Sequence, residues 1–344
     1  MKYVLGVLYS FFLAIIPKFA YAHVGYVVDS GLFPSHSGSD TSFLISVFSE
    51  PKNSIIILAT LMIVLLLSDA YVHSRNARAT AKAILDRAQN YRVFLPFIAR
   101  LSVGIALLGS GTAGVLISPI ADATPFLATL EIYLGFFILT GFLLVPSLVI
   151  ALCLFALGII SNTYLAGNLD FVGLILVLFS FGTSAPGVDD MLGVPFFNWF
   201  GLPKKWGIVG LRMLLGTAFM FLALYEKLLN PHLSEMVVQA FNLTSIVPVS
   251  SAMWVFSAGV IEFIIGLCLF VGFRTRIMSV IAFLVICVTF FFFKESVYSH
   301  VTLFGALSIL FVTRGEEARP VPAGNEKPKK RSSVRKIARK RTKA

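Results

Sequence analysis

Nine apolar runs, each close to one bilayer crossing in length and separated by short polar stretches, dominate the chain at residues 54–72, 94–116, 125–146, 147–165, 168–184, 207–229, 252–273, 275–293 and 298–313. A crossing needs about 20 residues at 1.5 Å each, so the pattern predicts an all-α integral membrane protein with nine transmembrane helices. Between the first and second runs, Arg75, Arg78, Lys82, Arg87 and Arg92 alternate with Ala77, Ala81, Ile84, Leu85 and Ala88 at helical spacing. That amphipathic stretch predicts a surface helix, and residues 54–92 form one unit of first span and linker. Ahead of them, residues 1–22 combine Lys2, an apolar run Val4–Ile16 and the small-residue sequence Ala20-Tyr21-Ala22. The run is too short for a bilayer core of about 30 Å, which predicts a signal peptide cleaved after Ala22, with an uncleaved anchor as the alternative. Residues 23–53 are rich in Ser, Gly, Pro and Asp and lack helical periodicity, so an extracytoplasmic segment with at most short strands is expected.

A repeat underlies the later runs. Arg100-x-x-x-Gly104 followed by Pro119 recurs as Arg212-x-x-x-Gly216 followed by Pro231, and Glu131-x-x-x-Gly135-x5-Gly141 recurs as Glu262-x-x-x-Gly266-x5-Gly272. Two four-helix units follow, 93–185 and 207–315, joined by a connector at 186–206. Four helices return the chain to its starting side, so the units share one orientation about an axis along the membrane normal. Gly135, Gly141, Gly266 and Gly272 are candidate helix-packing positions where backbones approach closely.

Charge assigns the sides. Apolar residues make up 57% of the chain and charged residues 13%, which excludes a soluble enzyme, a disordered chain and a disulfide scaffold. Of 28 Lys and Arg, 12 lie in residues 314–344 with only 3 of the 17 acidic residues, so most of the net charge of +11 belongs to the tail. Residues 316–344, with three prolines and the run Lys329-Lys330-Arg331, cannot bury enough apolar surface to fold and form a disordered basic cytoplasmic tail. Its partners are anionic lipids, with RNA, ribosomes or an acidic protein as the alternative; no specific nucleic acid is expected. Placing the tail inside also puts the basic linker and Lys204, Lys205, Arg274 and Arg276 inside, and a multi-pass plasma-membrane protein with an exported N-terminus results.

The second unit, with Arg212-Met-Leu-Leu-Gly216, Tyr225-Glu226-Lys227-Leu228 and Glu262-x-x-x-Gly266 through Gly272-Phe-Arg-Thr-Arg276, resembles the DoxX family of four-helix membrane proteins, which includes DoxD-like subunits. The first unit resembles it less closely, with Ala113, Gly114 and Val115 in place of Tyr225, Glu226 and Lys227. The resemblance implies a membrane subunit or accessory of a redox system that exchanges electrons with quinone beside a soluble or membrane oxidoreductase. A small-solute transporter and a scaffold recruiting partners through its tail are the competing readings.

Ionisable groups inside a bilayer each need a reason, at about 2.5–3.5 kcal/mol on insertion scales. Buried pairs Arg100–Glu131 and Arg212–Glu262 would supply one. The sharper expectation is a polar site in the second unit, made by Arg212, Glu226, Lys227, Glu262 and His300, that conducts protons or contacts a quinone headgroup. Adjacent Glu226 and Lys227 point about 100° apart on an α-helix, so only one of them is expected to face the bundle. No histidine is central in a span, which makes intrinsic haem unexpected, and Cys153, Cys268 and Cys287 are isolated. Signal cleavage would expose His23 as an N-terminal candidate ligand for copper.

Overall fold

The computed structural model describes residues 38–119, 121–181, 186–193 and 202–313; the expected signal peptide, His23 and the expected disordered tail lie outside them. All nine apolar runs form helices. These are α2 (Pro51–His73), α4 (Leu95–Ala113), α5 (Pro125–Thr140), α6 (Leu144–Ser161), a short 3₁₀ stretch Thr163–Asn168 leading into α7 (Leu169–Phe181), α9 (Lys204–Leu222) with a π-helical end at Ala223–Leu229, α12 (Ser251–Val271), α13 (Thr275–Phe293) and α14 (Val297–Thr313). Among the described residues seven helical stretches are long and apolar enough to cross a membrane, against the nine crossings expected; α5 and α14, with 16 and 17 residues, are shorter. The basic linker is helix α3 (Arg75–Gln89), and a small helix α8 (Val188–Leu192) sits in the connector.

Two loops differ from expectation. Residues 41–49 form a helix, α1 (Thr41–Ser49), started by the Asp40 carboxylate accepting from the Phe43 amide at 3.1 Å. The irregular composition of 23–53 hid it, because the cap and the apolar residues Phe43, Leu44 and Val47 occupy a stretch too short to display a period. Pro51 at the first turn then starts α2 three residues before the apolar run begins. The long loop 230–250 likewise folds into α10 (Pro231–Ala240) and α11 (Leu243–Ile246).

The bundle is organised around α4, α7, α9 and α14. Helix α4 packs on α5 and on α14, while α9 packs on α7 and on α12. Each half therefore sets its first helix against the last helix of the other, and one continuous core runs from Leu95 and Leu107 through Leu174 and Leu211 to Leu307 and Leu310. By contrast, α2 turns Ile55, Leu58 and Leu66 outward at 62–66% exposure, a surface that only an apolar solvent would cover.

The tightest contacts are between backbones. A β-carbon on Gly216 would stand 2.6 Å from the Gly266 carbonyl oxygen, and one on Gly266 would stand 2.8 Å from that of Gly216. The same reciprocal approach joins Gly104 and Gly135, at 3.0 and 2.7 Å. Small residues allow this where no hydrophobic force draws helices together in lipid.

One end of the bundle, which we call the loop-rich end, carries residues 114–119, 121–124, 162–168 and 229–250; the opposite, connector end carries 141–143, 186–193 and 272–274. Helix α1 docks on the loop-rich end. His232 of α10 bridges Asp40 at 3.0 Å and Glu235 at 2.9 Å, Lys52 donates to the Pro248 carbonyl at 2.8 Å, and the Gly38 amide donates to Asn230. The Ser42 hydroxyl, His232 and the Phe43 amide hold Asp40 down at about 2, and Glu235 and then Asp40 raise His232 above its usual value.

Two outcomes follow from these contacts. Gly216→Leu should lower the melting midpoint of the detergent-solubilised protein by an amount corresponding to about 1–3 kcal/mol, whereas Gly38→Ala, with open space around it, should leave it unchanged. The His232 contribution is fully present below the unfolded value of 6.5 and is lost as pH rises through its raised value; that of Asp40 is present above 3.8 and is lost as pH falls through about 2. Protection of α1 amides, measured by hydrogen exchange corrected for intrinsic rates, should therefore be greatest between pH 4 and 6.5 and decline at alkaline pH, and His232→Ala should remove that decline.

Candidate intramembrane polar site

The buried arginines do not meet the glutamates. Arg212 lies against Gly272, which closes α12 in a left-handed conformation with φ of 85°. Arg100 lies against Gly141, which closes α5 with φ of 69°, and donates to the Pro186 carbonyl at 3.1 Å. A helix C-terminus offers unsatisfied carbonyls and partial negative charge, which a guanidinium complements. Glu131 and Glu262 each sit ten residues upstream of that glycine, about 15 Å along the axis, and helix tilt does not close such a gap. The expected pairs Arg100–Glu131 and Arg212–Glu262 are accordingly not formed.

Glu131 is fully buried and satisfied by neutral donors. The Ser110 hydroxyl donates to Oε2 and the Ile117 amide to Oε1, both at 2.9 Å. Ile117 adopts a left-handed conformation (φ 61°), costly for a β-branched residue, and that conformation is part of the turn that aims its N–H at the carboxylate.

Glu262 is served instead by a charge. Lys227 Nζ lies 2.8 Å from Glu262 Oε2 and 3.3 Å from Glu226 Oε2, while the Tyr164 hydroxyl donates to Glu226 Oε1. Glu226 is 1% exposed, Lys227 14% and Glu262 25%, so Glu262 is the open member. The expectation that only one of Glu226 and Lys227 faces the bundle is overturned, because the chain there is π-helical. Its wider turn reduces the angle between neighbours, and Lys227 lies between both carboxylates. Gly259, one turn before Glu262, leaves room for the Lys227 stem: a β-carbon there would stand 3.0 Å from that of Lys227.

The remaining candidate, His300, belongs to a different cluster. Its Nε2 lies 2.9 Å from Glu295 and its Nδ1 2.8 Å from the Ser299 hydroxyl. Of the five residues expected to form one site, the structure brings together Glu226, Lys227 and Glu262, adds Tyr164, and leaves Arg212 at the opposite end and His300 in its own group. Tyr164 was not read as a partner from sequence, although a tyrosine at the edge of an apolar run carries a hydroxyl that burial obliges to find one. Asp189 was also missed: both its oxygens accept at 2.8 Å, from the amides of Leu143 and Leu144, so the connector caps the start of α6. Among the described residues no group of three His, Cys, Asp or Glu side chains is arranged to hold a metal ion.

Residues 207–295 match the model of the DoxX family, and that stretch contains Arg212, the two packing glycines, Glu226, Lys227 and Glu262. The chain is thus DoxX-like over residues 207–295. No curated protein and no solved structure matches the chain.

Removing Lys227 would leave two carboxylates facing each other in a partly buried position. Lys227→Met should destabilise the protein by about 3–5 kcal/mol, and Glu262→Gln in the same chain should recover a substantial part of that loss. A double-mutant cycle on thermal unfolding in detergent measures the coupling; additive effects would show that Lys227 and Glu262 do not interact.

Proposed function

We propose that this chain is a membrane subunit of a quinone-linked redox system, in which the Glu226–Lys227–Glu262 cluster receives the quinone headgroup and exchanges protons with it. The observation that carries the reading is the asymmetry of the cluster. Two carboxylates share one ammonium, so it holds an imbalance of one charge that a proton can correct, and its least buried member, Glu262, is flanked by the outward Ile261 and Ile264 on an otherwise apolar helix. A ligand that partitions into a bilayer would meet a polar group there. Reduction of the quinone to quinol takes up two electrons and two protons; a partner oxidoreductase supplies the electrons, and the cluster relays protons.

On this reading the protein lies in the plasma membrane with nine crossings. Residues 1–22 are removed, the new N-terminus is exported, and the basic tail lies in the cytoplasm against anionic lipid. The short helices α5 and α14 cross where the bilayer thins or side chains snorkel. The matching glycine approaches and arginine-closed helix ends support an origin of the two units by tandem duplication.

Quinone extracted from protein purified in mild detergent should approach one per chain and should fall at least several-fold in Glu262→Gln, with the melting midpoint little changed. Quinone at the level of the detergent–lipid background in the wild type would overturn the reading; solute uptake by the same protein in proteoliposomes would then identify a carrier.

A further inference from the structure

The connector end holds the counterpart of a contact that the first half completes with an acid. In the first half the chain turns through Gly141 and Leu143, both left-handed, and enters α6. The amides of Leu143 and Leu144 donate to the two oxygens of Asp189, each at 2.8 Å, and the Asp189 amide donates back to the Gly141 carbonyl at 3.0 Å. Arg100 flanks the same place, since a β-carbon on Gly141 would stand 2.8 Å, and one on Gly187 3.1 Å, from its Nη1. One carboxylate thus satisfies a helix N-terminus beside a guanidinium.

The repeat carries Gly141, Leu143 and Leu144 onto Gly272, Arg274 and Thr275, each 131 positions later. The backbone has the same form: φ is 85° at Gly272 and 49° at Arg274, against 69° and 44° in the first half. Arg212 lies against Gly272 as Arg100 lies against Gly141. Among the described residues, however, no carbonyl or side chain accepts from the Arg274 or the Thr275 amide at the start of the 19-residue helix α13. The side chain of Thr275 adds an independent demand. Thr275 is only 3% exposed, and its hydroxyl oxygen has no hydrogen-bond partner among the described residues. Two amides and a buried hydroxyl, all belonging to consecutive residues at a positive helix end, therefore await an acceptor.

The surroundings select the kind of anion. Val271, Phe273 and Ile277 are exposed apolar side chains around this turn, and the exposed Arg274 lies among them, so the donors sit where a charged medium meets an apolar one. A molecule with a phosphate head and acyl chains matches both parts, whereas a small soluble anion matches the donors alone.

We propose that residues 272–275 form an anion site for the phosphate of a lipid headgroup. The Arg274 and Thr275 amides and the Thr275 hydroxyl donate to phosphate oxygens, as the Leu143 and Leu144 amides donate to Asp189, while Arg212 and Arg274 supply positive charge nearby. The acyl chains lie along Phe273 and Ile277. The site shares no side chain with the Glu226–Lys227–Glu262 cluster and stands independently of quinone binding.

The test is hydrogen exchange, corrected for intrinsic rates and resolved to single amides by fragmentation, on the full-length protein stripped of lipid in uncharged detergent. Salt at about 1 M screens exposed charges beyond about 3 Å and suppresses the contribution of the basic tail. Without added lipid the Arg274 and Thr275 amides should exchange at least several-fold faster than those of Leu143 and Leu144. Phosphatidylglycerol should slow them at least several-fold, and Thr275→Val should reduce that slowing while leaving Leu143 and Leu144 unchanged. Slowing by inorganic phosphate as well would show that the phosphate group suffices, and slowing by the lipid alone that its chains are also needed; either result supports the site. Slowing by neither, equal slowing by uncharged diacylglycerol, or undiminished slowing in Thr275→Val would overturn the proposal. Amides as protected in the lipid-free chain as those of Leu143 and Leu144 would overturn it too, because the chain would then supply its own acceptor.

Discussion

The backbone contact between the first and second helices of each half sets the register on which the polar chemistry depends. In the second half Gly216 touches Gly266, Arg212 lies four residues before Gly216, and Gly272 lies six after Gly266. On antiparallel helices these offsets run in the same direction, about 6 and 9 Å, and an arginine side chain covers the small difference to reach the closing turn. Glu262 lies about 6 Å toward the opposite end, and Lys227 about 16 Å; the two extended side chains meet between them. The first half has the same offsets, with Gly104 on Gly135 and Arg100 at Gly141. A larger residue at either contact would separate the helices and lengthen all of these reaches together.

Within that common frame the two halves solve the same problem by different chemistry. Each must satisfy a glutamate one turn before the packing glycine, at the level where the preceding helix ends. The first half ends α4 in a tight turn and spends a serine hydroxyl and a strained isoleucine amide on Glu131, which closes the place completely. The second half continues α9 as a π-helix and brings a lysine, whose ammonium must also answer to Glu226. Neutral donors leave a buried, finished contact. A shared ammonium leaves a charge imbalance and, at Glu262, a partly open carboxylate. This difference, more than the presence of acidic residues as such, is what supports placing the proposed quinone contact in the second half.

Much of this was legible in the sequence, and the failures have identifiable causes. Apolar runs located every long helix because a bilayer-length stretch is a strong signal, and the repeated Arg-x-x-x-Gly and Glu-x-x-x-Gly spacings located the packing contacts because they are local offsets on single helices. The partners of Arg212 and Glu262 were misread because sequence supplies charges but not backbone dipoles. A complementary glutamate was visible, whereas the carbonyls at the end of α12 were not. The pairing of adjacent Glu226 and Lys227 was missed because it depends on a change of helix type at residues 223–229, which α-helical geometry forbids. Tyr164 was hidden at the edge of an apolar run read as spanning residues, and its role emerges only when the 3₁₀ stretch Thr163–Asn168 is set against α9.

The separation of charge along the bundle sets the place of the Glu226–Lys227–Glu262 cluster. The buried arginines, Arg100, Arg212 and Arg276, lie at the connector end, and Arg276 donates to the Val312 carbonyl at the end of α14. The buried acids, Glu131, Asp170 and Glu226, lie toward the loop-rich end. Each arginine complements a helix C-terminus, so the cationic end is largely neutralised by backbone dipoles, whereas Glu131 draws on neutral donors and Glu226 on a lysine and a tyrosine hydroxyl. The 3₁₀ stretch Thr163–Asn168 supplies Tyr164 to the Glu226–Lys227–Glu262 cluster. That segment packs on α9, where the first half of the chain is set against the second, so the second half's polar cluster is completed by a side chain of the first.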